Sequence, residues 1–97
     1  MAMPVDKPYV LRLYVTDASP KSARAIVNTR RLLEEHLSDR YTLEILSIAE
    51  HVAQATEDQI VCAPTLLRLA PPPARRIIGD MSDVARVLKG LDVRVEG

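Results

Sequence analysis

Tryptophan and phenylalanine are absent from this sequence, and its only aromatic residues are Tyr9, Tyr14 and Tyr41. Single-stranded nucleic acid is held by stacking successive bases on aromatic platforms, so no such surface is expected. A net charge is missing as well: thirteen Lys and Arg balance thirteen Asp and Glu. That balance removes the overall attraction that nucleic-acid and anionic-membrane binding rely on. The one cysteine, Cys62, has no partner for an internal disulfide or a Cys-x-x-Cys redox pair, and it suits a reducing compartment. No run approaches the ~18 apolar residues that span a bilayer, and the first residues carry no apolar signal core. A cytoplasmic protein is the expectation.

Catalytic patterns are missing too. The sequence has three glycines and two histidines, and they build no phosphate-cradling loop, nucleophile elbow or His-Glu-x-x-His pair. His36 and His51 stand far apart, whereas a metal site needs three or four convergent ligands. Both are read as solvent-exposed helix histidines. Glu50, Glu57 and Asp58 are read as a solvated helix face. No enzyme, no metal and no cofactor are expected.

What is present is a globular composition, 47% apolar and 27% charged over 97 residues. It suits one domain with a loose arm at about residues 1–7. Tyr9–Val15 is apolar on both faces and reads as a covered strand. Ser19 is a good N-cap with Pro20 behind it, opening a helix to about Leu37 whose apolar stripe is Ala23, Ile26, Leu33 and Leu37. Tyr41–Ile48 is a second strand. Strand, long helix, strand predicts a βαβ unit with a parallel pair. Ala49–Gln59 predicts a short or frayed helix with a thin stripe of Val52, Ala53 and Thr56.

The stretch Ala63–Asp80 is the most informative. Two apolar runs, Thr65–Leu69 and Arg75–Ile78, flank Pro71–Pro73. Three prolines fit neither a helix interior nor a central strand, so the stretch predicts strand, stiff connection, strand. Ser82 is the expected N-cap of a helix from Asp83 to Lys89, with Gly90 just past its end. Leu91–Val95 alternates like a strand. Arg68, Arg75 and Arg76, with Arg24 on the first helix, form a candidate partner-binding cluster. Arginine forks are enriched at interface hot spots, and rigid prolines beside them lower the ordering cost of binding.

The order βαβαββα, with Ala63-Pro64-Thr65 entering the third strand, resembles the thioredoxin fold. That resemblance makes Pro64 the structural cis-proline candidate. It also places Ala18 and Lys21 where a redox member carries its two cysteines, so disulfide chemistry is absent. Finer still, Tyr9–Val15, Ser19-Pro-Lys-Ser22 with Arg24, Ala63-Pro-Thr-Leu66 and above all Pro71-Pro-Pro-Ala-Arg-Arg-Ile-Ile-Gly-Asp80 resemble the KaiB family, over about residues 8–93.

The KaiB resemblance implies a non-enzymatic clock component that binds the ATPase ring of a KaiC-like protein and modulates its phosphorylation state. It implies a KaiA-like protein as a further partner. It also implies a metamorphic chain, monomeric when thioredoxin-like and a homodimer or homotetramer in the alternative KaiB ground-state fold. Arg24, Arg68, Arg75 and Arg76 match basic positions of the family, where position 68 is more often lysine. Two alternatives stand beside this reading: a KaiB-like paralogue serving a stress response, and a thioredoxin-like redox protein acting through Cys62.

Overall fold

The computed structural model describes residues 9–92. The first strand, β1, is Tyr9–Val15, and it sits inside the sheet. Its two faces carry different chemistry. Leu11, Leu13 and Val15 point into the larger core, while Arg12 and Tyr14 point to the opposite side. Helix α1, Pro20–Leu37, starts at Ser19, whose hydroxyl accepts from the Ser22 N–H at 3.2 Å. It returns the chain to β2, Tyr41–Ser47, which pairs parallel with β1 from Tyr9–Tyr41 to Val15–Ser47.

A single 3₁₀ turn, Ile48–Glu50, and a short helix α2, Val52–Glu57, cover part of one sheet face. β3 (Thr65–Ala70) then pairs antiparallel with β1, and β4 (Arg75–Ile78) with β3. The sheet order is β2-β1-β3-β4, with α1 and the last helix α3, Val84–Gly90, on the face opposite α2. The larger core joins Leu11, Leu13 and Leu66 of the sheet to Leu32, Leu33 and Leu37 of α1 and to Met81, Val87 and Leu91 around α3. The smaller one is Tyr14, Leu46, Ala55 and Leu67. This is the thioredoxin-like α/β arrangement expected from the sequence.

Several local expectations are corrected. The inward stripe of α1 is Ser22, Ala25, Thr29, Leu32, Leu33 and Leu37, and Ala23 is exposed. The apolar residues alone misplaced the stripe because small polar residues fill the tight N-terminal half of the helix contact. In α2 the buried residue is Ala55, while Val52 and Ala53 face outward. The cap of α3 is Asp83, not Ser82: its carboxylate accepts from the Arg86 N–H at 3.1 Å. Gly90 is the last helical residue and not a left-handed cap. It is small because a Cβ there would lie 1.9 Å from Ile77 Cδ1. Leu91 and Asp92 form a turn with Leu91 fully buried, and the remainder of the strand-like tail lies outside the described residues, as does the arm at 1–7.

Candidate partner-binding surface

The four arginines singled out from the sequence do not form one cluster. Arg24 projects from the first turns of α1, and its Nε donates to Asp80 Oδ2 at 3.4 Å. Asn28, one turn on, donates to the Asp80 carbonyl at 2.9 Å, so α1 is tied to the β4–α3 turn. Asp80 also accepts from the Ser82 N–H. Its bonds to Ser82, reinforced by Arg24, hold its carboxyl below the usual range. Arg24 remains mostly exposed, and a pair of this length near water is weak.

Arg68 is the correction. It is only 2% exposed, so in this fold it presents nothing to a partner. Its guanidinium spans two carbonyls: Nη1 donates to Leu91 O at 2.6 Å and Nη2 to Pro73 O at 2.7 Å. The physical reason lies in the register. Arg68 follows Leu66 on the face that packs α3, opposite Arg75, and the chain end of α3 and the proline turn both close over it. The planar fork joins two acceptors that no hydrophobic residue could satisfy.

Arg75 and Arg76 are exposed neighbours on the edge strand β4 and point to opposite faces of the sheet. Arg75 shares the side of Ile77 and α3. Arg76 stands opposite Leu67 on the α2 side, and its Nη2 donates to the Asp58 carbonyl at 2.6 Å. Among the described residues no carboxylate pairs with either. Pro71–Pro73, all exposed, form the turn that carries them.

A polar network unexpected from the sequence joins β1 to the end of α2. The sequence predicts Asp58 on a solvated helix face with Glu50 and Glu57. Those two are exposed, but the Asp58 carboxylate turns inward. It accepts from Arg12 Nη1 at 2.8 Å and from the Tyr14 hydroxyl at 2.5 Å, while Arg12 Nε reaches Glu44 at 3.0 Å. Burial, then the Asp58 bond and charge, push the Tyr14 phenol up to about 12. Burial opposes the Arg12 charge, but its bonds to Asp58 and Glu44 prevail and keep its pKa above the ordinary value. The available signal was a lone arginine within an apolar strand, two residues before a tyrosine on the same face.

The β1–α1 loop lines an open groove of about 440 Å³ with Val15–Ser19 and the first turns of α1. Ala18 holds φ 57° there, and neither it nor the exposed Lys21 brings a thiol. The Ala63–Pro64 bond is cis, and pairing of Tyr14 with Thr65 sets Pro64 beside the end of β1 that enters this loop. Cys62 is exposed on the α2–β3 connection. His36 and His51 are half-buried, and His51 Nδ1 lies 3.1 Å from the Ser47 carbonyl. Among the described residues there is no cluster of His, Cys, Asp and Glu that would hold a metal ion, and no helix long and apolar enough to cross a membrane.

Comparison with known proteins agrees with this architecture. Among solved structures, the N-terminal domain of SasA from Synechococcus elongatus superposes with a TM-score of 0.74 at 20% identity, covering 100% of this chain and 94% of that one. Mitochondrial thioredoxin 3 of Saccharomyces cerevisiae reaches 0.70 at 13% identity, over 91% of this chain and 80% of that one. At such identities the likeness is one of fold. Among curated proteins, circadian clock protein KaiB3 of a Synechocystis strain is 48% identical over 88 residues, 91% of this chain and 86% of its own. The circadian clock oscillator protein KaiB of Trichodesmium erythraeum is 42% identical over 93 residues, 96% of this chain and 89% of its own. The model of the KaiB domain matches residues 12–93, from the Arg12 anchor to just past the buried end of α3, and the chain therefore belongs to the KaiB family.

Proposed function

We propose that this protein is a non-catalytic regulator that docks on the ATPase ring of a KaiC-like protein and modulates its phosphorylation state. The observation that carries the reading is the pair Arg75 and Arg76, exposed on an edge strand behind a proline turn and without a paired carboxylate among the described residues. Guanidiniums held on a stiff segment lose little freedom on binding, and their planar forks suit carboxylates and backbone carbonyls. Arg24, weakly paired to Asp80 at the N-terminal end of α1, stands apart from that pair and offers a second basic contact beside the β4–α3 turn. Arg68 contributes from inside, by holding the proline turn and α3.

The relatives named as clock proteins support this class of role, and the family resemblance adds a KaiA-like protein as a second partner. The chain acts in the cytoplasm as a monomer in the thioredoxin-like form. It exchanges with a ground-state fold that assembles as a dimer or tetramer and in which the segment from β3 onward is rearranged. Two packings separated by a few kcal/mol are enough for such an exchange.

The test is co-elution with the KaiC-type ATPase of the same organism. Arg75→Ala combined with Arg76→Ala is expected to abolish co-elution at micromolar concentration while leaving the circular-dichroism spectrum unchanged. Undiminished co-elution of that variant would remove Arg75 and Arg76 from the docking surface.

A further inference from the structure

Asp58 joins the smaller core to the exposed face of β4. Helix α2 has only six residues and buries only Ala55. Helices this short do not stand by propensity, so α2 depends on what anchors its ends. At its C-terminal end the anchor is the Asp58 carboxylate, held by Arg12 at 2.8 Å and by Tyr14 at 2.5 Å. Arg12 and Tyr14 both belong to a strand hydrogen-bonded on both sides, and Tyr14 is fully buried. Two charge-assisted bonds from an interior strand therefore fix the position of one residue at the edge of the structure.

The same residue then serves β4. Asp58 is the C-cap of α2, its N–H bonded to the Gln54 carbonyl, and its own carbonyl accepts from Arg76 Nη2 at 2.6 Å. The guanidinium of Arg76 is thus aimed by a carbonyl whose place is set by the Asp58 side chain. Arg76 is exposed and, without that bond, would sample many rotamers that binding would have to freeze.

We propose that Asp58 is a positioning residue for Arg76: its carboxylate, clamped by Arg12 and Tyr14, fixes the carbonyl that holds the Arg76 guanidinium ready for an acidic or carbonyl-bearing partner surface. For its consequence in binding the inference rests on the docking role proposed above. The positioning itself is read from the free protein. Asp58 acts through Arg76 and touches no partner.

Two measurements test it. In the free protein, ¹⁵N relaxation of the Arg76 Nε–Hε group should show an ordered side chain in the wild type. It should show a mobile one in Asp58→Ala and, to a smaller degree, in Tyr14→Phe, which removes one clamp and keeps the buried ring. An Arg76 side chain equally mobile in all three would overturn the positioning role. In binding to the KaiC-type ring of the same organism, Asp58→Ala should weaken affinity about three- to tenfold, the range for freezing one rotamer-rich side chain. In an Arg76→Ala background the same substitution should change affinity less than about twofold. An equal loss in both backgrounds would assign Asp58 a general structural effect and overturn the proposal. Absence of ring binding by the wild type would refute the docking role instead, and the relaxation measurement would still decide the positioning.

Discussion

Replacing Arg68 with methionine keeps most of the buried stem and removes the guanidinium. The wild-type group makes two short charge-assisted bonds, to Leu91 O and Pro73 O, in a site only 2% exposed. Bonds of this kind contribute about 1.5–3 kcal/mol each, and their loss leaves two carbonyls to find water. Something is returned, because Arg68 Nε is buried without a partner among the described residues and the charge itself is desolvated. Relief of an unsatisfied buried donor is worth about 1–3 kcal/mol. The net expectation is a destabilisation of about 2–4 kcal/mol. For a domain of this size that lowers Tm by about 10–25 °C. Urea unfolding followed by circular dichroism at 222 nm gives the free energy, and a thermal scan gives Tm. Arg68→Lys should recover about half of the loss, since one ammonium reaches one of the two carbonyls well. A variant Arg68→Met within about 0.5 kcal/mol of wild type, yet defective in ring binding, would refute the reasoning and return Arg68 to the docking surface.

Tyr14→Phe should cost about 1.5–3 kcal/mol, because a fully buried hydroxyl loses its bond to the Asp58 carboxylate; chemical denaturation checks it. The same group predicts an alkaline limit. Its folded pKa is raised to about 12 from an unfolded value near ~10, so its stabilisation is complete below pH ~10 and is lost as pH climbs toward about 12. Wild-type stability should fall across that window while Tyr14→Phe shows a flatter profile, and ultraviolet titration should find a late-ionising phenol that disappears in Tyr14→Phe. Ser19→Ala should destabilise the protein by about 1 kcal/mol through loss of the α1 cap, and Ser19→Asp should not. Cys62, exposed, should react with a thiol reagent in the native state, and Cys62→Ser should bind the ring as wild type does. Thiol-dependent reductase turnover lost in that variant would instead establish the redox reading.

Much of the fold was legible because its signals are local. Ser19-Pro20 marked the start of α1, the βαβ lengths marked the parallel pair, and Pro71–Pro73 allowed only a connection between two strands. Errors arose where a residue's role depends on a distant neighbour. Gly90 looked like a helix stop, but its size answers to Ile77 across the α3–β4 contact. Asp58 looked solvated because Arg12 and Tyr14 lie more than forty positions away in sequence. Ala23 looked buried because apolarity was the only guide to the inner stripe of α1.

By itself the sequence determined the element order, the family pattern in Pro71–Asp80 and the absence of a redox pair at Ala18 and Lys21. Periodicity, proline geometry and residue identity decide such things within a few neighbouring positions. Only the tertiary structure decided what each arginine does. The strand register turned Arg68 inward onto two carbonyls, sent Arg75 and Arg76 to opposite faces of one edge strand, and placed Arg24 against Asp80. A guanidinium's role follows from the acceptors within its reach, and those are brought together only when the sheet closes.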